Sequence, residues 1–453
     1  MKVLITGATG FIGRRLVDAL VDGGHEVTVW TRDTDAARAA LPVRCDVEFW
    51  NGRAVSPDAV CGFDGVVNLA GAGVADARWT DARKREIHES RERSTRALAS
   101  ALASAPQAER PSVFVSASAI GIYGDRGDDV LDERAAPGDG FLADVCRSWE
   151  SEAMAVRAVG VRAVCVRVGI VLGRDGGALA TMLPPFRLGL GGRLGSGAQW
   201  MSWIHIDDVV RLFVLALTDG NVAGAVGAVA PDAVTNREFT ASLGRALGRP
   251  ALFPVPAIGL RVALGEMASM LLASQRVAPS VALAHGFEFL HPKLEGALAD
   301  LSSDLDHELE TEQWFPRPPD EVFAFFSDAR NLERITPEFL GFKIANVSTD
   351  KVEQGTVIDY RLSLHGAPLR WQSVIEDWQP GRKFVDRQRR GPYARWHHTH
   401  EFEPHDGGTL VRDRVRYALP LAPLGDLVAG RMVDRDLGSI FDYRRRTLDR
   451  LLG

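Results

Sequence analysis

Behind a short apolar run at the start of the chain stands Thr6-Gly7-Ala8-Thr9-Gly10-Phe11-Ile12-Gly13, with its glycines three residues apart. Glycine at such a turn permits tight backbone geometry and leaves room for a pyrophosphate. The pyrophosphate charge then meets the free N–H groups and positive dipole end of the helix that follows. Gly7, Ala8, Thr9, Gly10, Phe11, Ile12 and Gly13 are therefore the candidate dinucleotide cradle, with an empty structural turn as the alternative. The second apolar run ends in Val29-Trp30-Thr31-Arg32. An NAD site places a carboxylate there to accept from the ribose 2′-hydroxyl, whereas Arg32 offers a planar fork of donors to a 2′-phosphate, with Thr31 as a second contact. This favours NADP(H) over NAD(H); a solvated surface arginine is the alternative, and Asp33 next to it keeps NAD(H) open.

Two other groups of side chains could do polar chemistry. Arg187 and Arg193 are interleaved with the glycine-rich stretch Gly189 to Gly197, where arginines could hold a phosphate or carboxylate. A flexible surface loop that tolerates arginine explains them equally well. Near the other end of the chain, strand alternation over GPYARWHHTHEF puts Trp396, His398, His400 and Phe402 on one face. Two of the four are large aromatics, so that face is expected to be the inner one. Trp396, His398 and His400 are then candidate cavity-lining residues, with partly buried, hydrogen-bonded histidines as the bland reading. No metal site is expected, because no third ligand stands nearby in the sequence.

These residues must be held by ordered elements. From Met1 to about Gly248, short β-branched runs alternate with longer helical stretches, the pattern of βαβ units and a doubly wound parallel sheet. The runs are Val3 to Thr6, Val27 to Thr31, Val47 to Trp50, Gly65 to Ala70, Val113 to Ser118 and Ala163 to Val168. Each is apolar on both parities, as strands covered on two faces should be. Residues 249–298 read as a helical extension in which prolines 250, 254 and 256 lead into a helix of about five turns. The acidic segment Ser302 to Glu310 serves as a boundary. Residues 303–453 read as an α+β domain of alternating strands closed by a helix, whose stripe is Leu424, Leu427, Val428, Val433, Leu437, Ile440, Phe441, Leu448 and Leu451.

Bulk properties narrow the field. A chain of 453 residues exceeds one ordinary core, and 46% apolar with 25% charged residues is a globular composition. Net charge −6 gives no long-range attraction to nucleic acid. Cys45, Cys61, Cys146 and Cys165 lack metal or disulfide spacing, which fits a reducing compartment and a cytoplasmic location. The longest apolar stretch, about Ala251 to Ala273, contains Arg261 and Glu266, so no membrane insertion is expected.

The octet at Thr6, NLAGAG at Asn68 to Gly73, SASAIGIYG at Ser116 to Gly124 and HIDDV at His205 to Val209 together resemble the extended short-chain dehydrogenase/reductase superfamily. ARWTDARKREIHESR from Ala77, FLADVCRSWE from Phe141, RLGSGAQWMSWIHIDD from Arg193 and GFEFLHPKLEGAL ending at Leu298 resemble an atypical bacterial subgroup labelled nucleoside-diphosphate-sugar epimerase-like. The resemblance implies a Rossmann-type fold, cofactor contacts at Leu69, Ala70 and Gly71, Ser118 as the substrate-orienting serine, and Arg193, Trp203 and His205 on the substrate side. His205 is expected to orient loop structure, ahead of a helix cap at Asp207 or Asp208. Homodimerisation enters by analogy alone. Residues 303–453, through QWFPRPPDEVFAFFSDARNLERITPEFLGFKI and VIEDWQPGRKFVDRQRRGPYARWHHTHEFEP, resemble the SRPBCC/START-like, polyketide-cyclase-like helix-grip domains, which implies a hydrophobic ligand.

The chain departs from the superfamily where the chemistry should lie. Typical members carry Tyr-x-x-x-Lys, in which lysine lowers the tyrosine pKa for proton exchange. Aligning Glu150 with the glutamate that often follows that lysine puts Leu142 and Cys146 in the two places. Tyr123 is the nearest phenol and a candidate acid/base, although in this superfamily the tyrosine of such a turn is usually structural. Asp144, Cys146 and His205 are further candidates. The expected function is an NADP(H)-dependent epimerase or oxidoreductase acting on an unidentified small molecule, coupled to a hydrophobic-ligand domain. The rivals are a non-catalytic NADP(H)-responsive regulator, and a lipid or polyketide carrier or cyclase working through the C-terminal domain.

Overall fold

The computed structural model describes residues 1–174, 176–303, 307–420 and 430–453. It divides into two compact units, 1–303 and 304–453.

In the first unit, seven parallel strands form one sheet in the order Gly224–Ala228, Arg162–Val168, Val113–Ala119, Gly65–Asn68, Lys2–Thr6, Glu26–Thr31 and Asp46–Phe49. The chain begins in the middle of this sheet and winds outward both ways, so the C-terminal end of Lys2–Thr6 is the point where strand order reverses. Open α/β sheets bind ligands in the crevice at that point. Helices cover both faces. On one, Leu16, Val17 and Leu20 of helix Phe11–Asp22 and Val209, Leu212 and Phe213 of helix Ile206–Thr218 share a core with Val3, Ile5 and Val29. On the other, Leu98 and Leu102 of helix Asp81–Ser104 pack on Leu4, Val66 and Phe114. Alternate strand residues thus bury on opposite faces, which is why the strands read as unbroken apolar runs.

Two differences from the sequence reading have local causes. The seventh strand, Gly224–Ala228, is Gly-Ala-Val-Gly-Ala, and small residues carry little β signal. The expected five-turn helix is instead two, Ala257–Leu264 and Ala268–Leu272. Gly265 between them takes φ +63, which breaks the helical path, and a Cβ there would lie 2.8 Å from Arg78 Nε.

In the second unit, seven antiparallel strands run in the order His307–Phe315, Gly408–Ala418, Arg395–His405, Lys383–Arg390, Ala367–Gln379, Val357–Leu364 and Lys343–Val347. The helix Arg431–Leu452 packs on this sheet: Val433, Leu437 and Phe441 against Trp396, Val415 and Tyr417, and Leu448 and Leu452 against Phe315 and Val411. This is the helix-grip arrangement. Leu424, Leu427 and Val428, read as the start of the helical stripe, and positions 304–306 of the boundary lie outside the described residues.

Candidate functional site

The glycine turn is built for close approach. Gly7 takes φ +73, and a Cβ on it would lie 2.5 Å from the Leu69 carbonyl carbon; one on Gly13 would lie 2.4 Å from the Gly7 oxygen. The first glycine lets the strand turn, and the third lets the helix seat on that turn. Gly10 is the N-cap of Phe11–Asp22 and supplies no side-chain hydrogen bond to its first turn. Thr9 and Gly10 are exposed, so the positive end of the helix faces outward. Ala8 is buried, Ile12 packs at the edge of the core, and the Phe11 ring lies where a Cβ on Gly173 or Gly176 would come within 2.4 or 2.5 Å of it. Thr6 Oγ1 donates to Asn68 Oδ1 at 2.7 Å, and that oxygen also accepts from the Ala70 amide at 3.2 Å. Asn68 thereby fixes Leu69, Ala70 and Gly71 beside the turn. The shape and polarity of this cradle fit a dinucleotide.

At the end of the second strand, Arg32 is exposed and, among the described residues, has no ionic partner. Asp33 is occupied: as N-cap of helix Thr34–Ala40, its Oδ1 accepts from the Ala36 amide at 2.9 Å, and its own amide donates to Thr31 Oγ1 at 3.3 Å. The carboxylate that kept NAD(H) open has a structural task, while the guanidinium is available for a phosphate.

The expected catalytic positions form a closed network. Ser118 is buried, and its hydroxyl donates to Glu150 Oε1 at 2.6 Å. Arg167 holds the same carboxylate in a fork, Nε and Nη2 each at 2.8 Å, and its Nη1 donates to the Tyr123 hydroxyl at 2.9 Å and the Glu133 carbonyl at 3.0 Å. Tyr123 is fully buried, and burial pushes its phenol above the usual value despite the guanidinium. The hydroxyl is turned into the core, toward Arg167, an arrangement of the structural kind that such a tyrosine usually has. Leu142 and Cys146 stand on helix Phe141–Met154 over Gly121, whose Cβ would lie 3.2 Å from Leu142 Cβ. Burial pushes the Cys146 thiol up to about 11, so it holds its proton at neutral pH. Asp144 is exposed and bonds Arg147.

Sequence reasoning missed Arg91, which helix Asp81–Ser104 brings to the mouth of this network. Its Nη1 donates to the Ala72 and Ile87 carbonyls at 2.9 and 3.0 Å, its guanidinium lies 5.1 Å over the Trp149 ring, and a Cβ on Gly71 would lie 3.1 Å from its Cζ. Five arginines and a lysine crowd residues 83–96, so nothing in the sequence singled it out.

The remaining expected substrate contacts fall in different places. Arg193 Nη1 donates to the Ser196 carbonyl at 2.6 Å, within a loop whose Gly192 sits so close to Phe253 that a Cβ would meet its carbonyl oxygen at 1.9 Å. The loop is packed against the Phe253 backbone at Gly192. Trp203 is fully buried with Leu172, Leu183 and Phe239, and its indole donates to the Asp232 carbonyl at 2.8 Å. His205 is itself the helix N-cap, Nδ1 accepting from the Asp207 amide at 3.2 Å, in place of the caps expected at Asp207 or Asp208. Its ring stacks on His291 at 3.8 Å, and burial, with His291 second, lowers its pKa.

In the second unit, Trp396, His398 and His400 are buried. Trp396 joins an aromatic cluster with Trp371, Tyr393 and Tyr417. His400 Nδ1 lies 2.5 Å from Asp413 Oδ1 and His398 Nε2 3.5 Å from it, so the third polar partner that the sequence did not display comes from the adjacent strand. Burial opposes ionisation of Asp413, but the two imidazoles hold it well below the usual carboxylate range; burial, then His400, lowers His398 to about 3. Among the described residues, no helix is long and apolar enough to cross a membrane.

Comparison with known proteins agrees with this division. Residues 3–228 match the NAD dependent epimerase/dehydratase family, residues 255–301 a domain family of unknown function, and residues 306–452 the family described as polyketide cyclase / dehydrase and lipid transport. An epimerase family protein of Arabidopsis thaliana, the chloroplastic SDR39U1 homolog, is 42% identical over 305 residues, 66% of this chain and 86% of that protein. The crystal structure of human SDR39U1 (isoform 2), determined with NADPH, superposes with TM-score 0.59 at 36% identity over 67% of this chain and 99% of its own. A nucleoside-diphosphate sugar epimerase from Corynebacterium glutamicum gives TM-score 0.54 at 33% identity, over 67% of this chain and 58% of its own.

Proposed function

Because this chain belongs to the NAD-dependent epimerase/dehydratase family, carrying a second domain of the polyketide cyclase and lipid transport type, we propose that its first unit is an NADP(H)-dependent epimerase or oxidoreductase acting on a small molecule. The observation that carries the cofactor choice is an Arg32 without an ionic partner among the described residues, next to an Asp33 used as a helix cap. The human relative determined with NADPH supports the same choice. When bound, the cofactor supplies hydride transfer at its nicotinamide. Gly7, Gly10 and Gly13 seat the pyrophosphate, Leu69 to Gly71 line its path, and Arg91 gives the site a fixed cation where Cys146 replaces the lysine. Ser118 orients the substrate oxygen, and its bond to Glu150 offers an outlet for a proton in a site without a phenol. The C-terminal unit handles a hydrophobic ligand.

A second reading has its own support. Leu142 and Cys146 in place of Tyr and Lys, and a Tyr123 locked to Arg167, favour a protein that binds NADP(H) without turning it over. Turnover separates the two. Oxidation of NADPH, or reduction of NADP⁺, is followed across a panel of carbonyl compounds and nucleotide sugars. Conversion that is lost in Ser118→Ala and kept in Tyr123→Phe supports the enzyme; binding without conversion of any panel member supports the regulator.

A further inference from the structure

The interior of the C-terminal unit holds more than apolar side chains. His398 and His400 stand on strand Arg395–His405, Asp413 on the adjacent Gly408–Ala418, and the antiparallel register sets His400 directly opposite Asp413. All three side chains are buried, and one donor atom from each lies within 4.8 Å of the other two. The imidazoles lie 3.9 Å apart between centroids. Within the same interior and among the described residues, His398 Nε2 is enclosed and makes no hydrogen bond, Asp413 Oδ1 lying 3.5 Å from it, and Nε and Nη1 of Arg444 and Oδ1 of Asp386 make none either. Buried polar atoms are nearly always satisfied, so a cluster of unsatisfied ones around three convergent side chains of metal-ligating type marks a place for an occupant.

We infer that His398 Nε2, His400 Nδ1 and Asp413 Oδ1 form a binding site for a divalent transition-metal ion of the zinc class. Two imidazoles and a carboxylate are a donor set such ions take, and three protein ligands leave a fourth position open. A cavity of about 10 Å³ beside the cluster, lined by Asp413, Phe326, Phe441 and Arg444, has room for about one water there. A water there would face Asp413 and Arg444. Asp386, opposite His398 in the register of the next strand, brings a second carboxyl into this interior. Charge distinguishes a cation from an anion as occupant. The cluster and its cavity bring together three carboxyls, Asp413, Asp386 and Glu312, against two guanidiniums, Arg444 and Arg445, and an anion would have to sit against the Asp413 carboxylate.

The test uses full-length protein stripped with chelator and desalted, titrated with Zn²⁺ in a calorimeter and analysed for bound metal. The His205→Asn background removes a second grouping, His205, His291 and Asp300, as a source of signal. One Zn²⁺ per chain is expected. His398→Gln and Asp413→Asn should each weaken binding beyond the roughly 10- to 100-fold that loss of an outer partner costs; His405→Gln should change nothing. Absence of stoichiometric uptake, or uptake unchanged in both variants, overturns the inference. Should the variants lose their circular dichroism, Co²⁺ added to the His205→Asn protein decides. Visible bands of four-coordinate cobalt support the site, and the spectrum of free aqueous cobalt overturns it.

Discussion

Tyr123 and Arg167 meet inside a closed core, the phenolic oxygen accepting from Nη1 at 2.9 Å with the guanidinium carbon 5.2 Å from the ring centroid. A phenol held this way stiffens the end of the strand that presents Ser118. Tyr123→Phe leaves one buried Arg167 donor unpaired, a loss of about 1–3 kcal/mol in unfolding free energy. Chemical denaturation should show that loss, while NADPH affinity stays as in the parent. A proton-transferring Tyr123 would instead give near-normal stability and abolished turnover.

Gly7 and Gly24 have nearly the same backbone conformation, φ +73 and +76, in different surroundings. Gly24→Ala meets open space and pays only left-handed strain, about 1–2 kcal/mol. Gly7→Ala pays that strain and drives a Cβ into the Leu69 backbone, where overpacking costs typically another 1–3 kcal/mol. Thermal melts should rank the pair in that order, and NADPH binding should fail in Gly7→Ala alone.

The pH response of the first unit should carry the mark of His205. Its folded pKa lies below the ordinary 6.5, lowered first by burial and then by His291, so the unfolded chain takes up a proton that the native state refuses. Stability is therefore fully present above pH 6.5 and is lost as pH falls below it, with a slope of up to about 1.4 kcal/mol per pH unit for one proton. His205→Asn keeps a good N-cap and removes the titration. The variant should flatten that slope in melts recorded between pH 7 and pH 5; an unchanged slope would assign the response to another group.

Ser118→Ala removes a hydroxyl from Glu150 while Arg167 continues to hold that carboxylate with two bonds. Stability should fall by about 1 kcal/mol, the usual worth of one hydrogen bond. If Ser118 orients substrate, turnover falls about 10²-fold or more, within the range for groups assisting proton transfer, and cofactor affinity is unchanged.

What could be read without coordinates was what is local. The glycine turn, the six apolar strands and the guanidinium at position 32 announce themselves within a few residues, because turn geometry and strand burial act over that range. The seventh strand was silent because Gly224–Ala228 is made of small residues, and Gly265 was passed over because its effect depends on φ rather than on composition. Contacts between distant segments were out of reach. Tyr123 and Arg167 are 44 residues apart, and Arg91 reaches the site only through the way helix Asp81–Ser104 is laid on the sheet. Asp413 joins His398 and His400 through strand register, which a turn at 405–408 sets and alternation alone leaves open.

On the function proposed above, the turn at residues 7–13 holds a nicotinamide dinucleotide whose 2′-phosphate meets Arg32. Parallel calorimetric titrations of NADPH and NADH into the parent protein and Arg32→Ala test it most directly. NADPH should bind more tightly than NADH to the parent. Arg32→Ala should lose about 1.5–3 kcal/mol with NADPH, the worth of hydrogen bonds to a charged group, and almost nothing with NADH. No heat with either dinucleotide, or equal losses with both in Arg32→Ala, would contradict it.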